Sequence, residues 1–227
     1  MTQNIFVTAI GTEIGKTYVS AAILLAARKR NLSAHALKPL MSGFSPDEYQ
    51  QSDAGILLAA VGEDINDATL AKTCLHAFPP ALAPNVAAQQ LGVEIDDEAL
   101  IEFCRVGLET KAAFHLIEGA GGVLSPATDT LLQADLIVAL DLPVVLVAAN
   151  YLGAVSHTLT AMESLEQRNI QVSAIVVSQP SPVTAQPEGL ISELARLHAD
   201  IPVFAAPYKA PAVELGEAIL ATLGQRQ

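Results

Sequence analysis

The sequence predicts an α/β fold in which one doubly wound, mostly parallel β-sheet is covered by helices on both faces. Short apolar runs alternate along the chain with segments of helical period, and this alternation is typical of βαβ units. The clearest run, Pro143 to Ala149, is apolar throughout, as a strand buried on both faces must be. A hydrophobic content of 51% with only 4% aromatic residues favours a core of Ala, Val, Leu and Ile. We expect residues 1–227 to form a single domain.

The predicted elements follow in a regular order from the amino terminus. Apolar runs that end at polar or glycine-rich turns predict strands at Asn4–Ala9, Ser33–Leu37, Phe114–Ile117, Pro143–Ala149, Val172–Val177 and Pro202–Ala206. Helical spacing, with acidic residues at two of the starts, predicts helices at Thr17–Lys29, from Asp53, from Asp96 to about Thr110, and at Thr130–Ala139, Ala154–Gln167, Pro187–His198 and Val213–Leu223. Between Gly62 and Gly92, three prolines indicate a loop-rich excursion with short helical pieces.

Charge and composition exclude several classes of partner. The chain has 12 Lys and Arg against 24 Asp and Glu, a net charge of −12, so its average field repels nucleic acid. No run approaches the roughly 20 apolar residues of a membrane helix, and the first residues lack the pattern of a signal peptide. Cys74 and Cys104 have no metal-ligand spacing. We therefore expect a cytoplasmic protein with reduced thiols, small-molecule substrates and no nucleic-acid or membrane partner.

The turn after the first predicted strand has the composition of a phosphate-binding loop. Residues 9–17, AIGTEIGKT, lie between a strand and a helix, which is the context that such a loop requires. Backbone N–H groups at a helix start attract an anion, Lys16 adds a positive charge, and the Thr17 hydroxyl is placed to ligate Mg²⁺. The common pattern G-x-x-x-x-G-K-[ST] has glycine where this chain has Ile10. The alternative is a helix start with a solvated lysine, but the context favours a P-loop NTPase-like fold.

Two further loops should meet this one, because ligands of open α/β sheets bind beyond the carboxyl ends of the strands. Lys38 begins the segment KPLMSG, which ends at Gly43, and a second cation here would neutralise charge on a transferred phosphoryl group. Glu118 ends an apolar strand before Gly119-Ala120-Gly121-Gly122, and we expect its carboxylate to serve a metal directly or through water. The alternatives are a surface lysine and a plain glycine-rich turn.

The histidines carry less information. His35 falls inside a predicted strand and His76 in the proline-rich excursion, so structural roles are favoured for both. His157 alone opens a helix near the predicted site. A structural role is favoured for His157 as well.

Taken in order, these segments resemble the dethiobiotin synthetases over nearly the whole chain. The family's loop TGTDTEVGKT is matched by residues 8–17, and its KP-x-x-SG and EGAGG segments by 38–43 and 118–122. Further matches are Ser52-Asp53-Ala54, the stretch from Pro126 to Leu136, and Leu152 to His157.

The resemblance implies ATP- and Mg²⁺-dependent closure of a cyclic urea by a homodimeric enzyme. One amine of 7,8-diaminononanoate takes up CO₂ to form a carbamate, ATP phosphorylates it to a mixed anhydride, and the second amine displaces phosphate. Lys16 and Lys38 would be catalytic, holding γ-phosphate and carbamate oxygens, while Ser42 and Lys38 would bind the substrate. Thr17, Asp53 and Glu118 would place Mg²⁺. The implied nucleotide-binding residues are Glu13, Ile14, Gly15, Lys16, Thr17, Tyr18, Asp53, Glu118, Gly119, Ala120, Gly121, Ser178, Gln179, Pro207, Tyr208, Lys209 and Glu214.

The chain departs from the family at three places. Ala9 stands where the family has its first glycine and Gly11 where it has aspartate, which predicts backbone strain at Ala9 unless Gly11 takes over the turn. The family's Asn-Asp pair, which reads the base, is replaced by Ser178-Gln179, so we expect relaxed base selection.

Three other functions remain open on the sequence alone. Another P-loop amidoligase would carry an appended glutaminase domain. A ParA-like ATPase switch usually has a second lysine near the start of its phosphate loop, where this chain has Ala-Ile-Gly-Thr at residues 9–12. A binding module without turnover would explain the departures at Ala9 and Ser178.

Overall fold

The strands and helices were located in a computed structural model that describes residues 3–182, 184–185, 187–208 and 212–223. The strands are β1 (Gln3–Ala9), β2 (Ala34–Leu37), β3 (Leu40–Ser42), β4 (His76–Phe78), β5 (Phe114–Glu118), β6 (Val144–Ala149), β7 (Val172–Ser178) and β8 (Val203–Ala206). The α-helices are α1 (Lys16–Lys29), α2 (Asp53–Val61), α3 (Asp67–Thr73), α4 (Pro84–Leu91), α5 (Asp97–Leu108), α6 (Gln133–Leu140), α7 (Ala154–Glu166), α8 (Glu188–Leu197) and α9 (Ala212–Leu223), with a 3₁₀ helix at Pro46–Gln51.

Six parallel strands form the main sheet in the order β2–β5–β1–β6–β7–β8. β1 therefore lies in the middle, between β5 and β6, so the loops that follow β1 and β5 leave the same edge side by side. The order reverses direction at β1, which is where a doubly wound sheet opens a crevice for a ligand. This arrangement confirms the predicted fold class.

Alternate residues of the central strands supply two separate cores. In β1, Phe6 packs into the core formed with α5, α6, α7 and α8, while Ile5 and Val7 pack into the core formed with α1 and α9. β6 divides in the same way, with Leu146 on one side and Val147 on the other. A strand must be apolar at every position to do this, which explains the uninterrupted apolar run of β6.

The structure differs from the sequence prediction at several boundaries. The segment after Lys38, expected to be a loop, contains β3, which pairs with β4 in a separate two-stranded parallel sheet. α6 begins at Gln133 rather than Thr130, because Leu132 is first held in an antiparallel bridge with Pro126. α2 begins as predicted, and the Ser52 hydroxyl caps it by accepting from the Gly55 N–H at 3.1 Å. Among the described residues, no helix is both long and apolar enough to cross a membrane.

Candidate active site

The phosphate loop connects β1 to α1 through two residues with left-handed backbone. Glu13 has φ 58° and Gly15, which immediately precedes α1, has φ 99°. A side chain at Gly15 would also be blocked in space, because an added Cβ would lie 2.5 Å from the Ser178 hydroxyl oxygen. The first N–H groups of α1 have no acceptor within the helix, which makes this helix start a site for an anion.

The strain predicted at Ala9 is not found. Ala9 is the last residue of β1 and is not among the described residues with positive φ, and Gly11 does not take a positive φ either. The turn is made further along, at Glu13 and Gly15, so alanine is tolerated at position 9. The glycine that matters near Ala9 is Gly122, where an added Cβ would lie 3.1 Å from the Ala9 carbonyl oxygen and from the Gly11 nitrogen. The glycines after β5 thus let that loop pack directly on the phosphate loop.

Lys38 is the centre of a buried charge cluster. Its ammonium donates to Glu118 Oε1 at 2.7 Å, Asp53 Oδ2 at 2.9 Å and the Gly119 carbonyl oxygen at 3.1 Å. The Lys38 and Glu118 side chains are 3% and 0% exposed, whereas Asp53 is 41% exposed. Burial lowers the pKa of Lys38, but the Glu118 and Asp53 carboxylates more than offset this and leave it above its usual value. All three N–H groups of Lys38 are occupied within the protein.

Thr17 joins the same cluster from the start of α1. Its hydroxyl lies 2.8 Å from Asp53 Oδ1 and 2.9 Å from Glu118 Oε1, and it has one hydrogen to share between them. Burial by itself raises the pKa of Asp53, but Lys38, the Thr17 hydrogen bond and Lys16 bring it below its usual value. Three residues that are far apart in sequence therefore present oxygen atoms at one point of the sheet edge.

Lys16, unlike Lys38, has N–H groups that make no hydrogen bond within the described residues. Its buried ammonium donates to the Gly11 carbonyl oxygen at 3.2 Å, which accounts for one of its three N–H groups. Burial, and next the positive charge of Lys38, lower the pKa of Lys16 to about 8. An incoming phosphate would relieve both effects by supplying a negative partner.

A cavity of about 500 Å³ opens above these groups. Lys16, Lys38, Asp53 and Ser42 line it, so the predicted substrate residue Ser42 does face the cluster. The residues that the sequence analysis missed here are Thr12, Met41, Ala81, Leu82, Ala83, Pro84 and Ser125. The run from Ala81 to Pro84 gives the cavity an apolar wall. Pro79, Pro80 and Pro84 indicated a loop but not where that loop would lie.

The residues predicted at the nucleotide end lie on the β7 and β8 side of the phosphate loop. Ser178 is buried at the end of β7 against Gly15, and Tyr18 lies in the first turn of α1, where burial raises its pKa. Pro207 and Tyr208 follow β8, and Glu214 is exposed in the first turn of α9. Lys209 lies outside the described residues.

The amide of Gln179 is engaged with backbone. Nε2 donates to the Thr184 carbonyl oxygen at 2.8 Å, and Oε1 accepts from the Tyr208 N–H at 3.0 Å.

His157 lies in α7, and its Nδ1 is 2.8 Å from the Tyr151 hydroxyl oxygen, which gives His157 a structural contact. A second cavity of about 710 Å³ lies beside the phosphate loop, between Gly11–Ile14 and the segment after Gln179.

The doubly wound sheet, the loop between β1 and α1, and the buried lysines and carboxylates beside it define a P-loop nucleotide-binding protein. A family model described as an AAA domain matches residues 3–207. The chain is 43% identical over 204 residues to the ATP-dependent dethiobiotin synthetase BioD of Phenylobacterium zucineum (strain HLK1), covering 89% of this chain and 87% of that protein. It is 36% identical to the BioD of Anaeromyxobacter sp. (strain K), covering 99% and 98%. The chain belongs to the family of ATP-dependent dethiobiotin synthetases.

Among solved structures, a plasmid partition protein (BB_S35) from Borrelia burgdorferi B31 bound to AMPPNP superposes with a TM-score of 0.57, covering 100% of this chain and 99% of that one. Its sequence identity is 11%, so this likeness shows the fold alone. The curated relatives therefore favour the synthetase over the ParA-like switch that the sequence left open.

Proposed function

We propose that this protein catalyses the ATP-dependent closure of 7,8-diaminononanoate with CO₂ to dethiobiotin, releasing ADP and phosphate. One substrate amine adds to CO₂ to form a carbamate, and a carbamate oxygen takes the γ-phosphoryl group from ATP as ADP leaves. The second amine then attacks the carbonyl carbon and expels phosphate, which closes the ring. The observation that carries the proposal is that Lys16, Thr17, Lys38 and Asp53 line one cavity. Buried Glu118 contacts Thr17 and Lys38 beside it.

The two lysines are suited to different steps. Lys16 has N–H groups to spare beside the phosphate loop, so we assign it to the γ-phosphate. Lys38 must release one of its three partners before it can bind a substrate oxygen. Asp53 is the partner that solvent reaches, so we assign to Lys38 an exchange of Asp53 for a carbamate oxygen while its contact with Glu118 persists. No covalent nucleophile is required, because the site contributes positioning and charge.

The oxygen atoms of the cluster fit magnesium. Glu118 Oε2 is buried without a hydrogen-bond partner among the described residues, so this oxygen is left for a ligand from outside the chain. Two carboxylates and the Thr17 hydroxyl are the hard oxygen donors that Mg²⁺ prefers. We propose Thr17, Asp53 and Glu118 as its holders. A bound Mg²⁺ would neutralise charge on the ATP phosphates.

The walls of the cavity account for the rest of the substrate. Ser42 supplies a hydroxyl near Lys38, and Met41 with Ala81–Pro84 supplies apolar contact for the aliphatic chain of the diamine. We assign the nucleotide to residues 13–18 and 118–121, with its base near Ser178, Pro207, Tyr208 and Glu214. We also propose that the protein is a cytoplasmic homodimer, as the resemblance to the family implies. The net charge of −12 disfavours a nucleic-acid partner.

An assay of ADP release tests this function. Wild-type protein should release ADP only when diaminononanoate, bicarbonate, ATP and Mg²⁺ are all present, and each omission should reduce the rate to background. Exposed Lys111 offers a matched control, because Lys111→Ala removes a lysine far from the cavity. ADP release that is indifferent to the diamine would contradict the proposal and favour an ATPase switch.

A further inference from the structure

Gln179 is one of the two residues that replace the family's base-reading pair, and its side chain is buried. It follows β7 directly and is 6% exposed, and its backbone N–H also donates to the Ala206 carbonyl oxygen at 2.8 Å. Its amide reaches in two directions, donating to the Thr184 carbonyl and accepting from the Tyr208 N–H. One buried side chain thus joins the segment after β7 to the segment after β8.

A primary amide suits both of these contacts. The Thr184 carbonyl requires a donor and the Tyr208 N–H requires an acceptor, and a primary amide carries both at opposite corners of one rigid plane. A carboxylate of the same shape would satisfy Tyr208 but would face the Thr184 carbonyl with a second acceptor. The two contacts therefore favour glutamine over glutamate at position 179.

The segment that Gln179 holds is one wall of the second cavity. Pro180, Thr184 and Ala185 line that cavity on one side, and Gly11–Ile14 of the phosphate loop line it on the other. The end of β7 is itself packed on the phosphate loop, where Ser178 leaves no space for a Cβ on Gly15. Ser178 therefore holds the end of β7 against the phosphate loop, and Gln179 holds the segment after β7. Together they set the distance between the phosphate loop and the opposite wall of the cavity.

We infer that Gln179 is a positioning residue that fixes the base side of the nucleotide site by joining the loops after β7 and β8. Its amide shapes the site through Thr184 and Tyr208 and does not itself read the base. This inference rests on the proposed function for the identity of the nucleotide, ATP. It predicts that nucleotide affinity depends on both contacts of the Gln179 amide, whereas the chemical step does not.

Two substitutions separate the contacts, and a third provides the control. Gln179→Ala removes both contacts, and Gln179→Glu keeps the acceptor for Tyr208 while it loses the donor to Thr184. Gln171→Glu makes the same change of charge at an exposed position just before β7, at the opposite edge of the sheet. Each variant is titrated with AMPPNP and Mg²⁺ in the absence of diaminononanoate, and the exchange rate of the Tyr208 amide proton is measured by NMR.

Gln179→Ala should weaken AMPPNP binding about tenfold, the scale expected for two net hydrogen bonds, and should expose the Tyr208 amide to exchange. Gln179→Glu should leave the Tyr208 amide protected, because it keeps that acceptor, but should still weaken binding, because its buried carboxylate repels the Thr184 carbonyl oxygen. The kcat at saturating ATP should remain within about twofold of wild type in both variants, while the KM for ATP rises.

The inference is overturned if Gln179→Ala binds AMPPNP within about twofold of wild type, or if Gln171→Glu weakens binding as much as Gln179→Glu. A fall in kcat with an unchanged KM for ATP would also overturn it. If Gln179→Ala does not fold, the isosteric Gln179→Glu decides on the same criteria. Failure of the proposed function is distinguishable, because the AMPPNP titration does not depend on whether dethiobiotin is formed.

Discussion

Replacing Lys38 by methionine is expected to destabilise the fold by about 3 to 5 kcal/mol, the cost of leaving a buried ion without its partner. Methionine preserves most of the apolar stem of lysine but removes the ammonium, which makes the 2.7 Å contact with Glu118. The Asp53 carboxylate is 41% exposed and can be solvated after the change, but Glu118 is 0% exposed and cannot. The cost therefore arises mainly at Glu118.

The same reasoning predicts a partial rescue. In the double variant Lys38→Met, Glu118→Gln, the buried side chain is neutral, so the free energy of unfolding should recover by at least about 2 kcal/mol relative to Lys38→Met. For a chain of this size, 1 kcal/mol corresponds to about 2–4 °C in Tm, so the single variant should melt about 6–20 °C below wild type. Both variants should be inactive in ADP release.

Urea unfolding followed by circular dichroism measures these differences, with Lys111→Met as the control for loss of an exposed lysine. A Lys38→Met protein within about 1 kcal/mol of wild type would refute the reasoning. So would a double variant that is less stable than the single one. Either result would mean that Lys38 does not neutralise Glu118 in the folded protein.

Four further measurements test other parts of the account. Lys16→Ala should lower kcat by at least about a hundredfold with an unchanged melting profile, because the Lys16 charge stabilises the transferred phosphate rather than the core. Near-normal ADP release would reject this role. GTP or CTP should support turnover within about tenfold of ATP in kcat/KM, because the Gln179 amide is already hydrogen-bonded to the backbone of Thr184 and Tyr208. Discrimination above about a hundredfold would show that another group reads adenine. Chelation of Mg²⁺ should stop turnover. In a complex with nucleotide and metal, an ion more than about 8 Å from Glu118 would reject even a water-mediated role for this carboxylate, since direct ligation needs about 2.1 Å. Burial, and next the charge of His35, hold the pKa of His115 below its usual value of about 6.5. As the pH falls below about 6.5, the unfolded chain therefore takes up this proton first, and the free energy of unfolding, which has its full value above that pH, should decline. His115→Gln should flatten this part of the urea-stability profile, and an unchanged profile would contradict the assignment.

The strands and helices of the main sheet could be predicted because each has a strong period of its own. β6 is apolar at every position and α1 follows a glycine-bearing turn, so neither depends on distant partners to be recognised. β3 and β4 could not be predicted, since each has three residues and they pair across more than thirty intervening positions. The start of α6 was misplaced for a similar reason: the bridge between Pro126 and Leu132 is a tertiary contact with no local signal.

The candidate site divides in the same way. The three loops were found from residue type and from the rule that strand ends meet, and the structure does bring Lys16, Lys38 and Glu118 together. What Lys38 contacts could not be read from the sequence, because whether a lysine faces solvent or a buried carboxylate depends on residues about 80 positions away. Likewise, the sequence showed that Ser178-Gln179 replaces the family's base-reading pair, but not that the backbone of Thr184 and Tyr208 takes up the Gln179 amide.

The most direct test of the central claim is to follow the carbon of bicarbonate. Purified protein would be incubated with diaminononanoate, ATP, Mg²⁺ and bicarbonate labelled with a heavy carbon isotope, and the product analysed by mass spectrometry. The account predicts dethiobiotin carrying the label in its ring carbonyl, formed in equal amount to ADP and absent when Lys16 is replaced by alanine. ADP formed without labelled dethiobiotin would contradict it.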